Sequence, residues 1–146
     1  MVKWIAIVAG GVVLVVAAIV AAGSMLPRNH KASRTLRLKR PPADVWPVLI
    51  AATEASDVPV DVLERDPPRR LVTRVTEREK NFGGTWTIAI APVAAGSDIT
   101  ITEDGWVANP IFRFVSRFVI GHHATMDGIL KKVAADLNEE AVLPGQ

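Results

Sequence analysis

Two polar residues occupy positions where the surrounding pattern calls for apolar ones. Glu103 shares strand parity with Ile99 and Ile101, which turns it toward the same covered face. His122 falls on a stripe formed by Ile111, Val115, Phe118, Met126, Ile129, Val133 and Leu137, spaced at helical steps of three and four. A carboxylate and an imidazole meeting at the wall of an apolar pocket shift one another's protonation and can work as an acid/base couple. The same pair can anchor the polar end of a ligand, or satisfy each other and the backbone beside a bend at Gly121. No Ser/His/Asp order accompanies them, so no reaction is specified, and binding or structure is favoured over catalysis.

Other polar groupings carry less. His123 and Asp127 lie one helical turn apart, the spacing of a surface pair. A metal centre needs three or four converging ligands, and the chain offers no cysteine and one further histidine, His30, so no metal is expected. Gly83-Gly84 lacks the Lys-Ser/Thr of a phosphate loop and reads as a hairpin turn. No nucleotide fingerprint is present, and no cofactor is expected. The formal net charge is only +2, and no basic face interleaved with aromatics suggests nucleic acid as a partner.

The elements that would position these residues follow from periodicity. Ser33 to Arg40 alternates as a half-buried strand and stops at Pro41-Pro42, where a short helix begins through Val45, Trp46 and Leu49. Pro47 should leave that helix kinked or irregular. Four more strands are expected over Val58 to Arg65, Arg70 to Arg78, Thr85 to Val93 and Asp98 to Val107, separated by tight polar turns. One long helix from Pro110 to Asn138 should close the domain. Together they make an α+β fold with one antiparallel sheet.

These residues resemble the START-like, or polyketide cyclase/dehydrase-like (SRPBCC), superfamily with the helix-grip fold. The resemblance rests on Lys39-Arg40-Pro41-Pro42-Ala43-Asp44-Val45-Trp46, on Gly83-Gly84-Thr85-Trp86, and on Ile101-Thr102-Glu103-Asp104-Gly105 ahead of Asn109-Pro110. It implies a curved antiparallel sheet wrapped around the long terminal helix, with a cavity for a hydrophobic ligand between them. Residues that fill a core in a closed sandwich would then line that cavity: Trp86, Ile88, Ile90, Ile99, Ile101 and Glu103 from the sheet. From the helix come Val115, Phe118, His122 and Met126. Two departures stand out: Ala51 to Asp57 is too short for a second small helix, and Pro47 disturbs the first.

The N-terminus has a different character. From Trp4 to Gly23 no residue is charged, and at about 1.5 Å per residue such a helix matches the roughly 30 Å of bilayer hydrocarbon. A cleaved secretory signal competes with a retained anchor, because Ala21-Ala22-Gly23 offers small residues; the run is longer than the roughly 7–15 residues of a signal core, which favours the anchor. The 146 residues divide as a transmembrane anchor (1–23), a linker (24–32), one domain (33–140) and a tail (141–146). Arg28, Lys31, Arg34 and Arg37 follow the span, so the positive-inside rule favours a cytoplasmic domain. Phe82, Trp106, Phe112 and Phe114 would suit a membrane interface. The expectation is a single-pass membrane protein, its domain cytoplasmic in preference to extracytoplasmic, that holds a lipid or other hydrophobic small molecule. The alternatives are a cyclase, dehydratase or hydrolase acting on a lipid-like or polyketide-like substrate through Glu103 and His122, and a structural or partner-binding module.

Overall fold

A computed structural model describes residues 2–56, 58–75, 81–121 and 123–143. Helix α1 runs Val2–Met25, and its large apolar side chains from Trp4 to Val16 all face outward with no cover from the rest of the chain. A core helix would bury one stripe; this one buries none along its apolar stretch. Only its last turn is engaged. Gly23 packs so closely on the Pro110 backbone that a Cβ there would overlap the Pro110 carbonyl.

Five antiparallel strands follow: β1 (Asn29–Leu38), β2 (Val60–Asp66), β3 (Arg70–Val75), β4 (Phe82–Val93) and β5 (Gly96–Val107), in spatial order β1-β5-β4-β3-β2. The α+β class and the single sheet are as the pattern predicts. Strand β1 begins earlier than expected. Asn29 to Ala32, read as linker, pairs with Trp106 to Glu103, because β5 extends to Val107 and offers its backbone groups as partners. Gly83 and Gly84 are likewise not a turn: they lie inside β4, opposite Trp106 and Gly105. Of the polar turn expected at Glu79-Lys80-Asn81, only Asn81 lies within the described residues.

Helix α2 (Pro42–Glu54) runs uninterrupted through Pro47. The proline sits in the second turn with its ring exposed, so one lost hydrogen bond is tolerated. The long terminal helix, in contrast, is broken. Asn109 caps α3 (Pro110–Val115), its side-chain oxygen accepting from the Ile111 and Phe112 amides at 2.8 and 3.3 Å. The chain then widens into a π-helical stretch, Ser116–Ile120, that ends at Gly121 with φ 78°. That conformation is disfavoured for any residue with a Cβ, so the helix stops there. Helix α4 (Ala124–Asp136) starts afresh.

The core forms where α2 and α4 cover the sheet's inner face. Leu36, Ile88, Ile99 and Ile101 meet Leu49, Met126, Leu130 and Val133, all fully buried. Leu143, in the segment read as the tail, belongs to this cluster at 6% exposure. At the β1 edge, Arg34 Nε donates to Asp127 Oδ1 at 2.9 Å, tying sheet to α4. The Asp127 carboxylate is thus committed to Arg34, where the helical spacing suggested His123.

Candidate functional site

The inner face of the sheet changes composition along its length. Toward the β4–β5 hairpin, the facing pairs are Ile88 with Ile101 and Ile90 with Ile99. Two and four residues further on, the pairs become Trp86 with Glu103 and Gly84 with Gly105. Branched aliphatics give way to glycine, and the space they would fill is left to other groups. The His30 imidazole takes part of it: a Cβ on Gly105 would lie 2.7 Å from His30 Cε1. Above this stretch of sheet the helix layer is α3 and the π-helical turn, displaced from α4 by the break at Gly121.

The outcome is a hollow of about 340 Å³, walled chiefly by Phe82, Trp86, Phe112 and Val115, with Glu103 and His30 as its ionisable members and Ser116 and Thr125 as further polar ones. Its size is near the lower end for small-molecule sites, and an apolar wall with a few polar groups is the usual make-up of such sites.

His30 Nε2 stands 3.6 Å from Glu103 Oε1, each side chain about one-fifth exposed. At that separation the two groups are neighbours without a hydrogen bond between these atoms. The histidine beside Glu103 is therefore one from β1; His122, the expected partner, lies outside the described residues. Among those residues no three His, Asp or Glu side chains gather as a metal site would require.

Other residues expected to line a cavity are distributed unevenly. Trp86, Glu103 and Val115 border the hollow. Ile88, Ile90, Ile99, Ile101 and Met126 do not; each is at most 3% exposed and is consumed by the packed core. Phe118 does not border the hollow: it is 63% exposed, its ring tilted at 50° against Phe114 with centroids 5.0 Å apart. The wider π-turn takes Phe118 off the stripe that a regular helix would continue, and the stripe resumes on the buried side only in α4, at Met126. The hollow also recruits His30, Phe82 and Phe112, which periodicity did not assign. For His30 a signal exists: His30, Ala32, Arg34, Leu36 and Leu38 alternate as one strand face.

No protein-family profile and no curated protein matches the chain. Solved structures do. A protein of Mesorhizobium loti superposes with a TM-score of 0.57 at 13% identity, over 76% of this chain and 97% of the other. An HSP90 activator from Plasmodium falciparum gives 0.51 at 12% identity, over 80% of this chain and all of its own. A Rhodobacter sphaeroides protein gives 0.50 at 14% identity, over 76% and 93%. At such identities the likeness concerns backbone architecture, and it places this chain among helix-grip-like α+β folds.

Proposed function

We propose that the protein is a membrane-tethered member of the START-like superfamily that binds a hydrophobic small molecule or lipid in the hollow between the sheet and α3. The observation that carries this reading is the apolar hollow itself, bordered by α3, the helix on which the end of α1 packs. A cargo that partitions into the bilayer is concentrated at that place, and transfer into the hollow then needs little passage through water.

Two features support a retained anchor. Cleavage near Gly23 would remove the surface on which Pro110 packs, and would cut next to Leu26, whose carbonyl accepts from Arg113 Nη1 at 2.7 Å. Beside that junction Ile111, Phe112, Phe118, Val119 and Ile120 are exposed. An apolar, aromatic patch adjoining a spanning helix suits the membrane interface and has no comparable reason to face water. The charge bias after α1 favours the cytoplasmic side.

Native mass spectrometry of the full chain, released from its membranes in mild detergent, tests the binding claim. Co-purification of an apolar mass is the expected result. An empty protein that also fails to take up added lipid would remove the claim.

A further inference from the structure

A second pocket, of about 330 Å³, lies where α1 meets the domain. Arg28, Lys31, Arg113 and Arg117 line it, and no carboxylate does. Arg28, Lys31 and Arg117 make no ion pair within 4.0 Å among the described residues, and the carboxylates nearest the pocket, Asp104 across the strand pair from Lys31 and Glu103 beside His30, stand outside its wall.

Arg113 makes the imbalance acute. It is 8% exposed, which is costly for a guanidinium unless an anion sits nearby. Its Nη1 and Nη2 donate to the backbone carbonyls of Leu26 and Ala108 at 2.7 and 3.3 Å, but its Nε is buried without an acceptor. Neutral carbonyls satisfy hydrogen bonds and leave the charge. A planar guanidinium next to further cations is the arrangement that recognises phosphate and similar oxyanions.

His30, Val107 and Ser116 are common to the walls of this pocket and of the apolar hollow. A cationic pocket against the anchor therefore adjoins an apolar hollow under α3. We infer that the ligand is an anionic amphiphile whose phosphate head occupies the Arg28–Lys31–Arg113–Arg117 pocket while its hydrocarbon part fills the hollow lined by Trp86, Phe112 and Val115. This rests on the binding function proposed above and adds the class of ligand to it. The phosphate can belong to a bilayer lipid or to a soluble phosphorylated amphiphile; the head chemistry is common to both.

The test uses the full chain in nanodiscs of phosphatidylcholine, with intrinsic tryptophan fluorescence as readout, since Trp86 and Trp106 border the hollow. Dodecyl phosphate and dodecanol are titrated in parallel, and a second set of discs carries phosphatidic acid. Dodecyl phosphate should bind at least tenfold more tightly than dodecanol. The paired change Arg28→Gln with Arg117→Gln should abolish that preference and leave dodecanol binding as it was. Lys131→Gln, an exposed lysine on α4, should leave the preference intact. Equal affinity for the two amphiphiles, a preference that survives the paired change, or an equal loss in Lys131→Gln would each overturn the head-group assignment alone. Failure of both amphiphiles and of phosphatidic acid to bind would overturn the binding function with it. A response to phosphatidic acid only assigns a bilayer lipid; a response to dodecyl phosphate only assigns a soluble ligand.

Discussion

The sheet's inner face is one continuous surface, yet its two ends behave differently. At the hairpin end the aliphatic pairs of β4 and β5 interlock with α2 and α4, and Ile88, Ile99, Ile101, Leu130 and Val133 lose all contact with solvent. At the other end the same strands carry Gly84 opposite Gly105 and Trp86 opposite Glu103, beneath α3 and the π-turn, which the break at Gly121 separates from α4. Close packing in the first region stabilises the fold. Its absence in the second leaves space that can be used. The lesson is that a binding hollow needs no special architecture: three local choices suffice, namely glycine in the sheet, a π-turn in the helix layer and a glycine that ends it.

That division can be broken by mutation, and the closed end should show the largest effect. Leu130→Ala removes a fully buried side chain from the middle of the core and should cost about 2–5 kcal/mol of stability. Amphiphile affinity per folded molecule should stay unchanged, because Leu130 does not border the hollow. Denaturant unfolding and tryptophan titration on the same sample measure both. A folded variant with weakened binding would show that the two ends are one unit.

Asp127→Ala probes the closed end from its polar edge. Arg34 and Asp127 are each less than one-fifth exposed, and a charge-assisted hydrogen bond in that setting contributes about 1.5–3 kcal/mol. The expected result is a lowered unfolding midpoint, again with unaltered ligand affinity. Asp127→Asn should recover part of the loss, since the amide oxygen still accepts from Arg34 Nε.

How much of this was legible in the sequence follows the same division. The alternation of Leu36 with Leu38, of Ile88 with Ile90 and of Ile99 with Ile101 gives the strands and their inner face directly, because side-chain direction in a strand has period two. The 3.6-residue stripe likewise places Met126, Ile129 and Val133 on the buried side of α4. Periodicity failed where a residue's role depends on what its neighbours lack. Nothing in the local pattern marks Ser116–Ile120 as π-helical, so Phe118 is carried on a stripe that the real backbone has left. His30 is only half legible: alternation with Ala32, Arg34, Leu36 and Leu38 gives its face, but not that the strand reaches it. Its strand pairing is dictated by how far β5 extends, which is a property of residues some seventy positions away. Glu103 was readable as an inward carboxylate, but its neighbour was not.

The open end is sharpened by filling it. Val115→Trp places a large ring into the hollow, and the space there should accept it with little strain. Amphiphile affinity should fall about tenfold, equivalent to about 1.4 kcal/mol, while the unfolding midpoint stays level or rises. A fall in stability without loss of binding would mean that Val115 packs and does not line.

The smallest effect is expected on the sheet's outer face, where neither end of the inner face is involved. Arg37 Nε and Nη2 donate to Asp98 at 2.7 and 2.8 Å, an exposed fork across β1 and β5. Those hydrogen bonds hold the Asp98 carboxyl below the usual carboxylate range and push the Arg37 guanidinium higher still. A carboxyl whose folded value is depressed contributes stability above its ordinary pKa and loses it as pH falls through the folded value. The arginine's own shift lies above any working pH and adds no slope. Asp98→Asn should therefore leave neutral-pH ligand affinity alone and slightly flatten the loss of stability on acidification. Water and salt screen so exposed a pair, and added salt should shrink the difference between the two proteins. Unfolding midpoints of both, followed from neutral to acid pH at low and high salt, provide the measurement. A change in amphiphile binding would mean that the outer face communicates with the hollow, and the separation of the sheet into independent regions would have to be given up.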